Sequence, residues 1–291
     1  VPAPPLPPDR LSATLDEAIA GKRTPLTDLL SRASRLPGPR ANDALAEAFA
    51  QLCRGRGARA DAVALHLTRL TPDEAPGASP LEFLPVCGVI ALGARAAGDP
   101  SARARFLPEL HARADDRRFR VRDAVVAALA RIGETAGDSL VSEVASWMDG
   151  YFHAAAVVRA LATQGWLGAI RESGPTLARL DEAYVLVKDA PRAAARYPGH
   201  KALLEALMAT PRQLAVRFGT PLFDVLVRWG QTSDPVLRSI PSVVLADAKL
   251  AGRFHDDVAR LRSTLDASLP PPRNPDHDFG PTRRRGKKRR G

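Results

Sequence analysis

Cysteine is nearly absent from this sequence. There are two, Cys53 and Cys87, in 291 residues. They have no paired spacing, so the chain is not a disulfide scaffold, and two buried reduced thiols are expected. Aromatics are scarce at 5%. No apolar run is long. The longest uncharged stretch, Phe83 to Ala94, falls well short of the ~20 residues a membrane helix needs. The opening VPAPPLPPDR has no basic segment followed by an apolar one, so it does not read as a secretory signal. The expectation is a cytoplasmic protein with no membrane association, monomeric by default.

Catalytic signatures are missing too. The six histidines are scattered and form no HxxxH or HExxH pair, and neither cysteine stands at metal-ligand spacing to them. No glycine-rich phosphate loop, GxSxG elbow or kinase set occurs. The sequence therefore predicts no metal and no cofactor, and an enzyme is the less favoured class. Alternation at period two is also lacking, so strands are not expected.

What remains is helical. Ala and Leu are abundant, and both lose little on entering a helix. Leu45, Ala48, Phe49 and Leu52 fall at i, i+3, i+4 and i+7, with Asp43, Glu47 and Gln51 elsewhere on the wheel. Residues 61–70 form the next helix. Residues 86–97 are apolar nearly all round, which predicts a central buried helix entered at Pro80 and Pro85. Breaks recur at Pro37-Gly38, Pro72 to Pro80, Gly98-Asp99-Pro100, Gly133 to Gly137, Gly150, Gly174-Pro175, Pro198-Gly199, Gly219 to Pro221 and Gly230 to Pro235. Helix, turn, helix, repeated many times, is the pattern of a helical array.

One unit, residues 100–134, is especially legible. Phe106, Leu107 and Leu110 give its first helix an apolar face. Asp115-Asp116 begins a turn, and Val121, Val125, Leu129 and Ile132 form a stripe on the second helix. With Val121-Arg122 opening that helix, the unit resembles a HEAT repeat. A second stretch, 221–267, is similar: Leu222, Val225, Leu226 and Trp229, then Ser233 to Arg238, then an apolar segment through Val243, Val244 and Leu245. Pro241 departs from the pattern, because proline inside a helix removes a hydrogen bond. Arg122 and Arg238 stand 116 residues apart, close to three units of ~40. The segment 138–164 fits one unit between them.

The resemblance implies an all-α fold, an α-solenoid winding as a right-handed superhelix of helix pairs over residues 11–268. A Pro-rich N-terminus (1–10) precedes it and a disordered linker and basic tail (269–291) follow. In the final helix, Val258, Leu261 and Leu265 face inward, as suits a capping unit. The resemblance also implies a structural ladder of turn aspartates and following arginines, Asp116 with Arg122 and Asp234 with Arg238.

Charge is unevenly spread. The net charge is +10, and Arg283, Arg284, Arg285, Lys287, Lys288, Arg289 and Arg290 supply seven of the ten. Residues 1–270 carry only +4, so the basic balance belongs mainly to the tail. Seven cations in eight residues attract phosphates through counterion release, with little sequence preference. In the body, Arg103, Arg105, Arg118, Arg120 and Arg122 are candidates for a positive ridge.

Two functional readings follow. The first is a non-catalytic scaffold that binds a macromolecular partner, a protein and/or nucleic acid, with the tail contacting nucleic acid or another polyanion. The second comes from a further resemblance. One family of alkyl-base DNA glycosylases is built on HEAT-like repeats, with tryptophans and an aspartate beside the damaged nucleotide. Trp147, Asp149 and Trp229 are similar to that set, which implies a carboxylate stabilising an oxocarbenium ion while aromatics hold the sugar.

Overall fold

Four helices in this protein begin at a side chain that replaces a missing backbone partner. The structure is a computed structural model describing residues 8–269, so the basic tail and the first seven residues lie outside the described part. All regular elements among the described residues are helical. In chain order they are α1 (Pro8–Ile19), α2 (Thr24–Arg32), α3 (Asp43–Arg56), α4 (Ala58–Thr68), α5 (Phe83–Gly98), α6 (Pro100–Ala114), α7 (Phe119–Ala136), α8 (Asp138–Glu143) and α9 (Tyr151–Leu161). They continue with α10 (Gln164–Ala169), α11 (Ser173–Lys188), α12 (Pro198–Ala209), α13 (Pro211–Phe218), α14 (Thr220–Gly230), α15 (Pro235–Ser242), α16 (Ala248–Arg253) and α17 (His255–Ala267).

Several starts are capped by short polar residues, which accept from backbone N–H groups that have no partner in the first turn. Asn42 accepts from Leu45 N at 3.3 Å. Asp99 accepts from Ser101 N at 2.9 Å and Ala102 N at 3.3 Å. Asp234 and Asp247 do the same for α15 and α16. Pro100 and Pro235 follow their caps directly, where a missing N–H costs nothing. Pro241 has the effect expected of it: α15 ends at Ser242 and the chain tightens into a 3-10 turn over Val243–Ala246.

Glycine marks a recurring junction. Gly57, Gly137 and Gly219 each end one helix and begin the next, with φ of 62°, 54° and 61° and ψ of −141°, −125° and −135°. That region is closed to residues with a Cβ. At Gly137 a Cβ would also stand 2.8 Å from Ala169 O. The three junctions are 80 and 82 residues apart, about two units of ~40.

Packing follows the same spacing. α3 packs on α5, α5 on α7, α7 on α9 and α9 on α12. α4 and α6 flank α5, α11 lies against α9 and α12, and α14 joins α15 to α17. α5 is apolar on nearly every side and buried accordingly. Paired with its 3-10 entry, Pro80–Gly98 is long and apolar enough to cross a membrane, but here its faces are covered by α3, α4, α6 and α7. Gly88 lets it approach the backbone of Thr68, and Gly93 lets it approach Ala128. Cys53 and Cys87 are both free and buried in this core, and burial pushes the Cys53 thiol up to about 12.

Polar contacts recur at a similar sequence separation. Arg56 pairs with Asp16, Arg69 with Glu109 and Arg103 with Glu143, each 40 residues apart. Arg120 reaches Glu82 across 38 residues, and Arg159 reaches Asp123 across 36. Asp61 is buried and receives both Arg95 and Arg105.

The innermost of these contacts is centred on Arg118. Its side chain is 2% exposed, as is that of Asp116. It donates to Asp116 through Nε at 2.8 Å and Nη2 at 2.7 Å. It also donates to the carbonyls of Leu70 at 2.8 Å, Ala75 at 2.9 Å and Thr71 at 3.3 Å. The loop after α4 is thereby tied to the α6–α7 turn. Burial pushes the Asp116 carboxyl up, but the hydrogen bonds and charge of Arg118 outweigh it and hold the group below its usual value.

The expected aspartate–arginine ladder is therefore corrected. The Asp116 carboxylate belongs to Arg118, and Arg122 donates instead to the Asp116 backbone carbonyl. Asp234 spends its carboxylate on capping α15, and Arg238 donates to the carbonyls of Thr232 and Leu265. Arg122 and Arg238 still play one role: each reaches the carbonyl six residues upstream.

Arg118→Met leaves the buried Asp116 carboxylate with Arg113, 3.8 Å away, as its only charged partner and should destabilise the fold by about 3–5 kcal/mol in urea unfolding. A loss below ~1 kcal/mol would show that the loop and turn hold without it. Because Asp116 has a depressed folded pKa, its stabilisation is present above the ordinary carboxylate pKa and is lost as pH falls through the folded value. The acid-unfolding midpoint of Arg118→Met should accordingly move to higher pH.

Candidate functional site

Two constellations stand out, one apolar and one polar. The first is a groove built by α3, α5 and α7, with the segment before α3 closing one side. Small and branched residues that cannot fill the space between three helices make its floor: Ala46, Val86, Ile90, Ala124, Ala127 and Ala128. The volume is about 590 Å³. Its rim carries Arg40, Arg120 and Arg131 against Asp43, Glu47 and Asp123, three charges of each sign. Arg131 on α7 bonds Glu47 on α3, spanning 84 residues and passing over α5. Arg120 bonds Glu82 at 3.0 Å and the Gly38 carbonyl at 3.2 Å, and lies 4.5 Å from the ring of Phe119. Phe119 stands 53% exposed at the lip. Nη1 of Arg131 is buried with no hydrogen-bond partner among the described residues.

The arginines expected to form a positive ridge are occupied. Arg103 holds Glu143, Arg105 holds Asp61, Arg118 holds Asp116 and Arg120 holds Glu82. Arg122 lies 4.3 Å over the ring of Phe152, and its burial lowers its pKa. A guanidinium already committed to a carboxylate offers little to a phosphate, so this face carries no free basic stripe.

The second constellation joins three elements. His111 lies in the last turn of α6, Asp149 closes the 3-10 turn Ala145–Asp149, and His153 is in the first turn of α9. His111 Nε2 is 3.1 Å from Asp149 Oδ2, and His153 Nδ1 is 2.7 Å from Oδ1. The two imidazoles lie 3.8 Å apart between centroids, tilted by 31°. Burial raises the Asp149 carboxyl, but hydrogen bonds from His153 and then His111 prevail and hold it below the usual range.

Trp147 and Trp229 are each 3% exposed. Trp147 packs edge-on to His111 at 5.1 Å. Trp229 stacks on Tyr184 at 4.2 Å and donates from Nε1 to Asp181 at 2.7 Å. A role in holding a nucleotide requires an exposed ring face, and neither tryptophan has one. Asp149, the third member of that set, is committed to the two histidines. The glycosylase reading therefore loses the aromatic surfaces it depends on.

Neither the groove nor the histidine pair was expected from the sequence. The signal for the second was present: His111 and Asp149 are 38 residues apart, the offset of the other inter-unit contacts. No protein family, no curated protein and no solved structure matches this chain, so any functional reading rests on geometry.

Proposed function

We propose that this chain is a non-catalytic, HEAT-like scaffold whose stacked helix pairs form an α-solenoid and present the α3–α5–α7 groove to a protein partner. The ~40-residue offset of its polar contacts and the two-unit spacing of its junction glycines support the solenoid. The groove itself carries the functional reading. Its apolar floor and charge-balanced rim suit a peptide segment with an apolar face and mixed charges, laid in as a helix is laid into a hydrophobic groove. A carbonyl or carboxylate of that segment would satisfy Arg131 Nη1. A polyanion would meet three carboxylates on the rim.

The basic segment Arg283, Arg284, Arg285, Lys287, Lys288, Arg289 and Arg290 lies outside the described residues. Its composition supports a second contact, with nucleic acid or another polyanion. Binding through both elements would raise the overall affinity through effective concentration.

Ala127 is exposed on the groove floor, so Ala127→Glu adds a carboxylate there without disturbing the core. Peptides selected by display on the intact chain should be amphipathic, and Ala127→Glu should weaken them about tenfold or more. Equal affinity for the variant would remove the groove from consideration.

The tail has its own test. The salt dependence of single-stranded nucleic-acid binding should flatten when residues 271–291 are deleted, by about 5 in log K against log salt if all seven cations engage. An unchanged slope would show that the tail does not bind.

A further inference from the structure

We infer that His111, Asp149 and His153 form a binding site for a late first-row divalent cation, Zn²⁺ by ligand preference, with three protein ligands and an open fourth position. One donor atom from each lies within 4.8 Å of the other two. The carboxylate-to-imidazole separations are 3.1 Å and 2.7 Å. A tetrahedral ion with bonds of ~2.0–2.1 Å needs donors about 3.3 Å apart, so small rotations of the three side chains suffice. Two imidazoles and one carboxylate suit zinc and its neighbours. Mg²⁺ and Ca²⁺ prefer shells made of oxygen.

The surroundings keep the donors converged. Asp149 and His153 are four residues apart but lie on either side of Gly150, where the 3-10 turn gives way to α9. A Cβ at Gly150 would stand 3.0 Å from His153 Nδ1, so glycine leaves that nitrogen room. Trp147 backs both imidazoles with its buried ring, at 5.1 Å from His111 and 6.4 Å from His153. His111 comes from the preceding helix pair, so a bound ion would join α6, the 3-10 turn and α9.

The Asp149 side chain is 51% exposed, which leaves one side of the trio open to solvent. A cavity of about 360 Å³ adjoins His153, lined also by Asp115, Tyr151, Phe152 and Tyr197. It has room for water or a small exogenous donor at the fourth position. Three protein ligands with one open position is the arrangement of zinc sites that exchange a ligand, as distinct from closed structural ones.

The test is calorimetric titration of the full chain with ZnCl₂ and, separately, with MgCl₂, in a non-coordinating buffer. One saturable Zn²⁺ site per chain and no Mg²⁺ binding are expected. His111→Gln and His153→Gln, on different helices, should each weaken Zn²⁺ binding more than tenfold while helical circular dichroism is retained. Co²⁺ in place of Zn²⁺ should give the visible absorption of a four-coordinate site, lost in either variant. His277→Gln serves as a control, because Asp276, His277 and Asp278 offer a competing set in the tail. Absence of saturable binding, binding that survives both His111→Gln and His153→Gln, or binding that is lost only in His277→Gln would each overturn the assignment.

Discussion

A buried guanidinium must be surrounded by acceptors, and much of the N-terminal half is arranged around that requirement at Arg118. Its planar donors meet one carboxylate and three carbonyls, and those carbonyls come from a loop more than 40 residues earlier. The loop connecting α4 to α5 has no regular partner of its own. Without Arg118 the carbonyls of Leu70 and Ala75 would lose their donor, at a cost set by desolvation, while Thr71 O would keep the Ala75 N–H. With Arg118 in place, the loop's path fixes where α5 begins, and α5 is the helix on which α3, α4, α6 and α7 all pack. Glu82 repeats the device on a smaller scale: it is 1% exposed, accepts from Ala78 N at 2.8 Å and receives Arg120. Both contacts join the same loop to the start of α7. The groove between α3, α5 and α7 therefore depends on ion pairs that lie outside its floor.

In the proposed solenoid, a helix pair has apolar faces that it cannot bury alone, and the next pair would cover them. A side chain on one pair would then meet its counterpart on the neighbour at an offset equal to the unit length. That is why pairs as different as Arg56–Asp16, His111–Asp149 and Arg260–Asp224 fall between 36 and 40 residues apart. Arg131–Glu47 departs from that offset, as does the Arg120 bond to the Gly38 carbonyl, and both lie at the groove. At 84 residues the Arg131–Glu47 pair skips a unit, which is possible only where the intervening helix, α5, carries side chains that do not fill the space above it. Ile90 and Val86 are too short for that, and the facing residues of α7 are alanines.

How far the sequence could be read depended on whether the determining contact was local. The apolar stripe of Val121, Val125, Leu129 and Ile132 was legible because helical periodicity is a property of the segment itself, and all four are buried. Asp234, expected in the ladder with Arg238, instead caps the helix that Pro235 opens, as Asp99 does before Pro100. The partner of Asp116 was not legible. Arg118 and Arg122 are both near it in sequence, and the choice between them was made by the carbonyls of Leu70, Thr71 and Ala75, which no local pattern brings to the turn. Trp147 entered the glycosylase resemblance beside Asp149; in the structure its ring is buried against the two histidines. The groove was invisible for a further reason. It is made by residues that are too small, and a shortage of volume appears only when three helices are assembled.

Charge shows how local and global readings part company. The body's arginines are numerous enough to suggest a phosphate-binding face, yet Arg103, Arg105 and Arg120 pair with carboxylates on other elements, Arg118 with Asp116, and Arg122 with a backbone carbonyl. An arginine that bonds a carboxylate on another helix contributes to the contact between helices and little to the outer field. The +4 of residues 1–270 is thus a small excess spread over a long stretch of chain, while seven cations stand together in sequence beyond residue 282. Attraction for polyanions depends on uncompensated charge within a Debye length, about 8–10 Å in physiological salt. By that measure the tail and the body are different materials. A partner held in the groove would be chosen by shape and apolar contact, and its binding should respond weakly to salt. A partner held by the tail would be chosen by charge alone.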